Sequence, residues 1–135
     1  MIKVIMGLKG SGKTKKLLDG INAAVAEAHG DVVCIEKGVK LRYDIKYQAR
    51  LINTNEYLVF DAEALYGFIA GILASNHDVS DLFVDSALKI CNEDRAAFEK
   101  MVLAVDELCS KMNVNVVMTS SLPVEEASDT IKKYL

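Results

Sequence analysis

The sequence predicts an α/β domain: a doubly wound, mostly parallel sheet of four to five strands with helices on both faces. Three observations predict it. Short runs rich in β-branched residues alternate along the chain with longer segments of helical period. The runs VIM, VVCI and NVVM are apolar throughout rather than alternating, as strands covered on both faces must be. Finally, 135 residues with no repeat, linker or low-complexity tract make one domain, 1–135, large enough to bury a single core.

The elements follow in order. Residues 1–6 (MIKVIM) read as a strand. Residues 13–29 then form a helix, with Leu17, Leu18, Ile21, Ala24, Val25 and Ala28 on one face and Gly30 as its stop. Residues 31–36 (DVVCIE) are a second buried strand, and residues 50–54 a short one at a sheet edge; the stretch 37–55 around it carries the weakest pattern. Asp61 caps a helix through Leu73, apolar on nearly every side, which implies deep burial or a partner surface. Gly67 and Gly71 on it suit close packing against the sheet better than dimerisation. Residues 82–85 form a third clear strand. Asn92 is placed to cap a long helix bearing Phe98, Met101, Val102, Val105, Leu108, Cys109 and Met112. Residues 114–119 are a further strand, and Pro123 stands where a last helix, running to Leu135, begins.

Composition narrows the function classes. The chain is 51% hydrophobic and 26% charged, which excludes wholesale disorder, and its net charge of −3 argues against a surface that coats nucleic acid; a local basic patch stays compatible with it. No nucleic-acid partner is expected. Three scattered cysteines, Cys34, Cys91 and Cys109, form no Cys-x-x-Cys pair and suit buried thiols in a reducing compartment. The start lacks the pattern of a signal peptide, and the longest apolar stretch, 64–74, is too short to span a bilayer. The expectation is a cytoplasmic chain with no membrane span. His29 and His77 sit at helix ends with no metal-ligand spacing.

Residues 7–14, GLKGSGKT, fit G-x-x-x-x-G-K-[ST] at every position, between a strand and an amphipathic helix. Successive inward-pointing N–H groups make a nest for anions, and bare glycine backbone lets phosphate oxygens come close. The helix N-terminus adds partial positive charge and unpaired N–H donors. Gly7, Lys9, Gly10, Ser11, Gly12, Lys13 and Thr14 are therefore the candidate nucleotide-binding residues, with Lys13 on the β- and γ-phosphates and the Thr14 hydroxyl on Mg²⁺.

Through Gly7, Gly10, Gly12, Lys13 and Thr14 the chain resembles the P-loop NTPase superfamily. The resemblance implies a carboxylate at the end of a neighbouring strand to hold the magnesium. Asp85, ending LFVD, is the favoured candidate for the metal and, with Lys13, for catalysis; Asp61 is the alternative, and capping accounts for it equally well. In superfamily members with a strand inserted between the P-loop strand and the Walker B strand, a polar residue ending that strand senses the γ-phosphate. Thr119 and Ser120 stand there.

Several departures matter. The partitioning and nitrogenase-iron-protein ATPases carry a lysine directly after the first glycine, where this chain has Leu8, with Lys9 one step later. Related ATPases place a glutamate after the Walker B aspartate, where this chain has Ser86, which implies slow or partner-activated hydrolysis. No Asp-x-x-Gly follows Asp85 and no Asn-Lys-x-Asp occurs, so ATP is favoured over GTP. Three readings stay open: an ATPase, a nucleoside or nucleotide kinase with Glu36 as base and Arg42 and Arg50 on the acceptor, and a non-hydrolysing module that responds to nucleotide. ATP and Mg²⁺ are the implied cofactors, with a protein partner or a homodimer compatible with each reading.

Overall fold

A computed structural model describes residues 1–27 and 29–135; Ala28, assigned above to the apolar face of the first helix, lies outside the described residues. The strands are β1 (Ile2–Met6), β2 (Asp31–Glu36), β3 (Ala49–Asn53), β4 (Val79–Val84) and β5 (Asn115–Ser120). The helices are α1 (Lys13–Glu27), α2 (Ala62–Ser75), α3 (Ala87–Ile90), α4 (Arg95–Met112) and α5 (Asp129–Lys132). All five strands pair in parallel in the order β1-β5-β4-β2-β3. The predicted α/β class stands, with five strands and the 50–54 segment at the edge as β3.

Two cores explain why the strands carry no polar face. Residues Val33 and Ile35 of β2, Leu82 and Val84 of β4, and Val116 and Met118 of β5 pack with α2 and α4 on one side. Their alternates Val32, Cys34 and Phe83 pack on the other with Leu17 and Ile21 of α1 and with Leu41 from the β2–β3 connection. Period-two alternation therefore commits Glu36, Asp85 and Thr119, each two residues beyond Cys34, Phe83 or Val117, to the α1 side of the sheet.

Gly30 lets β2 start hard against β4. A Cβ there would run into the Asp78 carbonyl, which accepts from the Asp31 N–H at 2.8 Å. The three cysteines are free and buried. Burial raises the thiols of Cys91 and Cys109 to about 12 and about 11, far from the thiolate that reacts. No helix among the described residues is long and apolar enough to cross a membrane.

Three expectations need correction. The long helix starts not at Asn92 but after Asp94, whose carboxylate accepts from the Ala97 N–H at 3.1 Å. Asn92 and Glu93 both have φ near +60°, so neither is a cap of extended geometry, and Asn92 instead donates to the Phe60 carbonyl. The short α3 before it was not expected. The chain after Pro123 is not one helix: a 3₁₀ turn, Val124–Glu126, is broken by the extended Ala127, and Ser128 caps the single turn of α5.

Gly67 and Gly71 provide the third correction. They lie on the exposed face of α2, and a Cβ at either meets nothing within 4 Å. The helix buries Ala62, Leu65, Ile69 and Leu73 instead, a stripe at helical spacing that leaves both glycines outside. Replacing either by alanine is expected to stabilise the fold by about 0.4–1 kcal/mol, by lowering the entropy of the unfolded chain. Urea denaturation measures this, and a loss of stability would mean that something covers the face.

Candidate functional site

The loop 7–12 leaves β1 at the carboxyl edge of the sheet and enters α1. Gly10 and Gly12 have φ of +86° and +88°, a region that side chains rarely adopt, and a Cβ at either meets nothing within 4 Å. The Ser11 hydroxyl folds back over the α-carbon of Gly7, where a Cβ would collide with it. Within the loop the Ser11 N–H donates to the Leu8 carbonyl at 3.0 Å, and the Lys16 N–H to that of Gly12 at 3.1 Å. Gly7 is buried, Lys13 half-buried, and Lys9, Gly10, Ser11, Gly12 and Thr14 exposed. Among the described residues no acidic side chain pairs with the Lys13 ammonium. The arrangement is an open turn at the front of a 15-residue helix, with an ammonium free to meet an anion.

The strand order puts a carboxylate on the same edge of the sheet, with one strand between it and β1. β5 lies between β1 and β4, so Asp85, directly after β4, and Thr119, near the end of β5, meet across one strand pair. The Thr119 hydroxyl donates to Asp85 Oδ1 at 2.9 Å and accepts from the Ser86 N–H at 2.8 Å. Ser86 has φ 55° and adds a longer hydroxyl contact, 3.3 Å, to Asp85 Oδ2. Thr119, only 1% exposed, thus clamps both the carboxylate and the strained turn that follows it. Ser120 faces the opposite side, its Oγ buried and without a partner among the described residues.

Substituting Thr119→Val keeps the shape and removes both bonds. An expected loss of about 1–3 kcal/mol, read by urea denaturation, follows from leaving a Ser86 N–H and an Asp85 oxygen unsatisfied. A neutral substitution would mean that water replaces the hydroxyl.

Asp61 does what its position suggested: Oδ1 accepts from the Ala64 N–H at 2.7 Å as the cap of α2. Glu36 differs from a kinase base. It is 1% exposed, and its two oxygens accept from the N–H groups of Lys40 (2.9 Å) and Leu41 (3.2 Å). Those bonds fold the β2–β3 connection, and no hydroxyl from solution reaches an oxygen enclosed in this way. Burial pushes the Glu36 carboxyl above its ordinary value and the Asp85 charge adds to this, while the two N–H donors and the Lys40 ammonium oppose it.

The sign of its pH effect follows. The folded chain holds this proton more tightly than the unfolded one, so the contribution to stability is full below the unfolded value near 4.5 and is lost as pH rises through the folded value. The stability of the wild type relative to Glu36→Gln should therefore fall as pH rises above about 4.5, measured by paired denaturation curves. A difference that is flat or grows with pH would contradict the burial of this carboxylate.

Reading the sequence missed two features. The Thr119–Asp85–Ser86 clamp depends on β4 and β5 being neighbours, and its only signal was a hydroxyl residue at a strand end. The role of Glu36 as anchor of the following connection had no signal, because its partners are main-chain groups.

No protein-family model matches the chain, and no curated protein sequence matches it. Among solved structures it is similar to the crystal structure of a KaiC-like protein from the hyperthermophilic archaeon Pyrococcus horikoshii OT3. The TM-score is 0.71 at 15% sequence identity, and the match covers 98% of this chain and 66% of that one. At that identity the likeness is one of fold: a parallel α/β sheet wound with helices, in which this chain spans about two thirds of the other's length.

Proposed function

We propose that this chain is a P-loop nucleotide-binding domain that takes Mg·ATP in the turn between β1 and α1. One observation carries the reading: a sequence matching G-x-x-x-x-G-K-[ST] lies at the carboxyl edge of a parallel sheet, open at Gly10 and Gly12, at the N-terminus of a long helix. In this reading Gly7, Lys9, Gly10, Ser11, Gly12, Lys13 and Thr14 form the phosphate cradle. The donor chemistry suits magnesium, a hard cation that takes one or two protein oxygens and leaves the rest to phosphate and water. Thr14 would hold it directly, and Asp85, oriented by Thr119, through its water shell. When bound, the ion neutralises charge on the β- and γ-phosphates.

Hydrolysis would be slow without help. Ser86 follows Asp85, and its hydroxyl is turned toward the carboxylate, so the chain offers no base at that position to orient water. A partner that supplies a base or an arginine would raise turnover. The buried, unpaired cysteines support a cytoplasmic setting.

A calorimetric titration with Mg·ATP, Mg·ADP and Mg·GTP, followed by phosphate release on the same samples, tests the reading. Saturable heat with both adenine nucleotides, a weaker response to GTP and slow turnover are expected. The absence of saturable heat with all three would remove it.

A further inference from the structure

The connection between β2 and β3 carries a charge opposite to that of the chain. Residues 37–48 hold four basic side chains, Lys37, Lys40, Arg42 and Lys46, against one acid, Asp44, in a protein whose net charge is −3. Two of the chain's five tyrosines lie among them, and both stand in solvent: Tyr43 is 84% and Tyr47 91% exposed. A tyrosine normally covers part of its ring in the fold, so two bare rings four residues apart call for an explanation.

The segment is not loose. Glu36 accepts from Lys40 and Leu41, Asn53 Oδ1 accepts from the Gly38 N–H at 2.9 Å, and the Asp44 and Ala49 N–H groups close turns onto Leu41 and Lys46. Leu41 and Ile45 pack down against α1. Anchoring those two leaves Tyr43 and Tyr47, each two residues further on, facing outward. The Arg42 guanidinium lies 4.8 Å from the Tyr43 ring centre and donates to its hydroxyl at 2.9 Å, which holds that ring in place.

We infer that this connection is a binding surface for single-stranded polynucleotide, in which Tyr43 and Tyr47 stack on bases while Lys40, Arg42 and Lys46 meet phosphates. A single strand offers what the surface lacks, regularly spaced negative charge interleaved with flat apolar faces. A duplex hides its base faces, and an acidic protein surface, which would meet the same charges and rings, is separated by the test below. The expectation that the whole chain avoids nucleic acid rested on net charge, which the segregation of charge into this connection bypasses. The inference goes beyond the nucleotide reading and does not depend on it.

Fluorescence anisotropy with labelled oligo(dT) and oligo(U) of about twenty nucleotides, and with a duplex of equal length, tests it without added nucleotide. The wild type should bind single strands better than duplex, with log K falling by about 0.7 per phosphate contact for each unit of log salt. Tyr43→Ala and Tyr47→Ala should each weaken binding about tenfold, while the phenylalanine variants keep it. Arg42→Ala or Lys46→Ala should flatten the salt slope. Both tyrosines are exposed, so unchanged thermal melting confirms that the alanine variants are folded. The two oligonucleotides identify whether RNA or DNA is the better ligand. Absence of binding at low salt, equal affinity for duplex, or affinity unmoved by the tyrosine substitutions would overturn the inference, the first of these pointing to a protein partner instead.

Discussion

Lys13→Ala is expected to weaken Mg·ATP binding by about 10- to 100-fold and to leave the melting temperature of the free protein unchanged. The size follows from removing one or two charge-assisted hydrogen bonds, worth about 1.5–3 kcal/mol, from a partly desolvated phosphate. The specificity follows from the local structure. Lys13 opens α1, where alanine is at least as good a helix former. No acidic side chain among the described residues pairs with its ammonium, so truncation strands no buried charge. Calorimetry gives the affinity directly, and the upward shift in melting temperature at saturating nucleotide gives it independently. An affinity equal to that of the wild type would remove the phosphate site, whatever the fold.

Phe98→Ala should produce the largest loss of stability, about 3–5 kcal/mol. The ring is 2% exposed, in the first turn of α4, and belongs to the core that ties α2 and α4 to the sheet. A small surface cleft of about 40 Å³ lies beside it, lined by Met6, Leu122 and Ile131 and by the polar Arg95, Glu99 and Glu126. Against a total stability of about 5–15 kcal/mol, this is a fifth of the total or more. For a chain of this length it corresponds to a fall of about 10–20 °C in melting temperature. Phe98→Leu, which keeps most of the volume, should cost much less. Equal effects of the two substitutions would mean that volume at this site does not govern packing.

The predictions differ in how directly their residues could be read. The apolar runs that became β2, β4 and β5 announced themselves because strands buried on both faces need no polar positions. Asp61 was legible as a cap because its carboxylate bonds three residues on, within the reach of local pattern. GLKGSGKT was legible for the same reason: the turn, the positive φ of Gly10 and Gly12 and the helix that follows are all local. Asn92 misled, since it too is a capping residue type, yet its backbone and that of Glu93 turn left-handed and pass the role to Asp94. Gly67 and Gly71 misled because α2 is apolar almost all round, and spacing alone does not say which face meets the sheet.

What the sequence determined by itself is local. It set the alternation of strand and helix, the parallel class that this alternation requires, and the eight-residue turn with its lysine and threonine. Those features are encoded within one or two turns of chain, where backbone sterics and hydrophobic period suffice. The insertion of β5 between β1 and β4 was implied by the superfamily resemblance; only the tertiary structure decided that Thr119 grips Asp85 and that Glu36 faces inward to fold the connection bearing Tyr43 and Tyr47. The physical reason is sequence separation. Thr119 and Asp85 stand 34 residues apart, and strand pairing chooses among partners by the summed fit of whole faces, which no short stretch of residues carries.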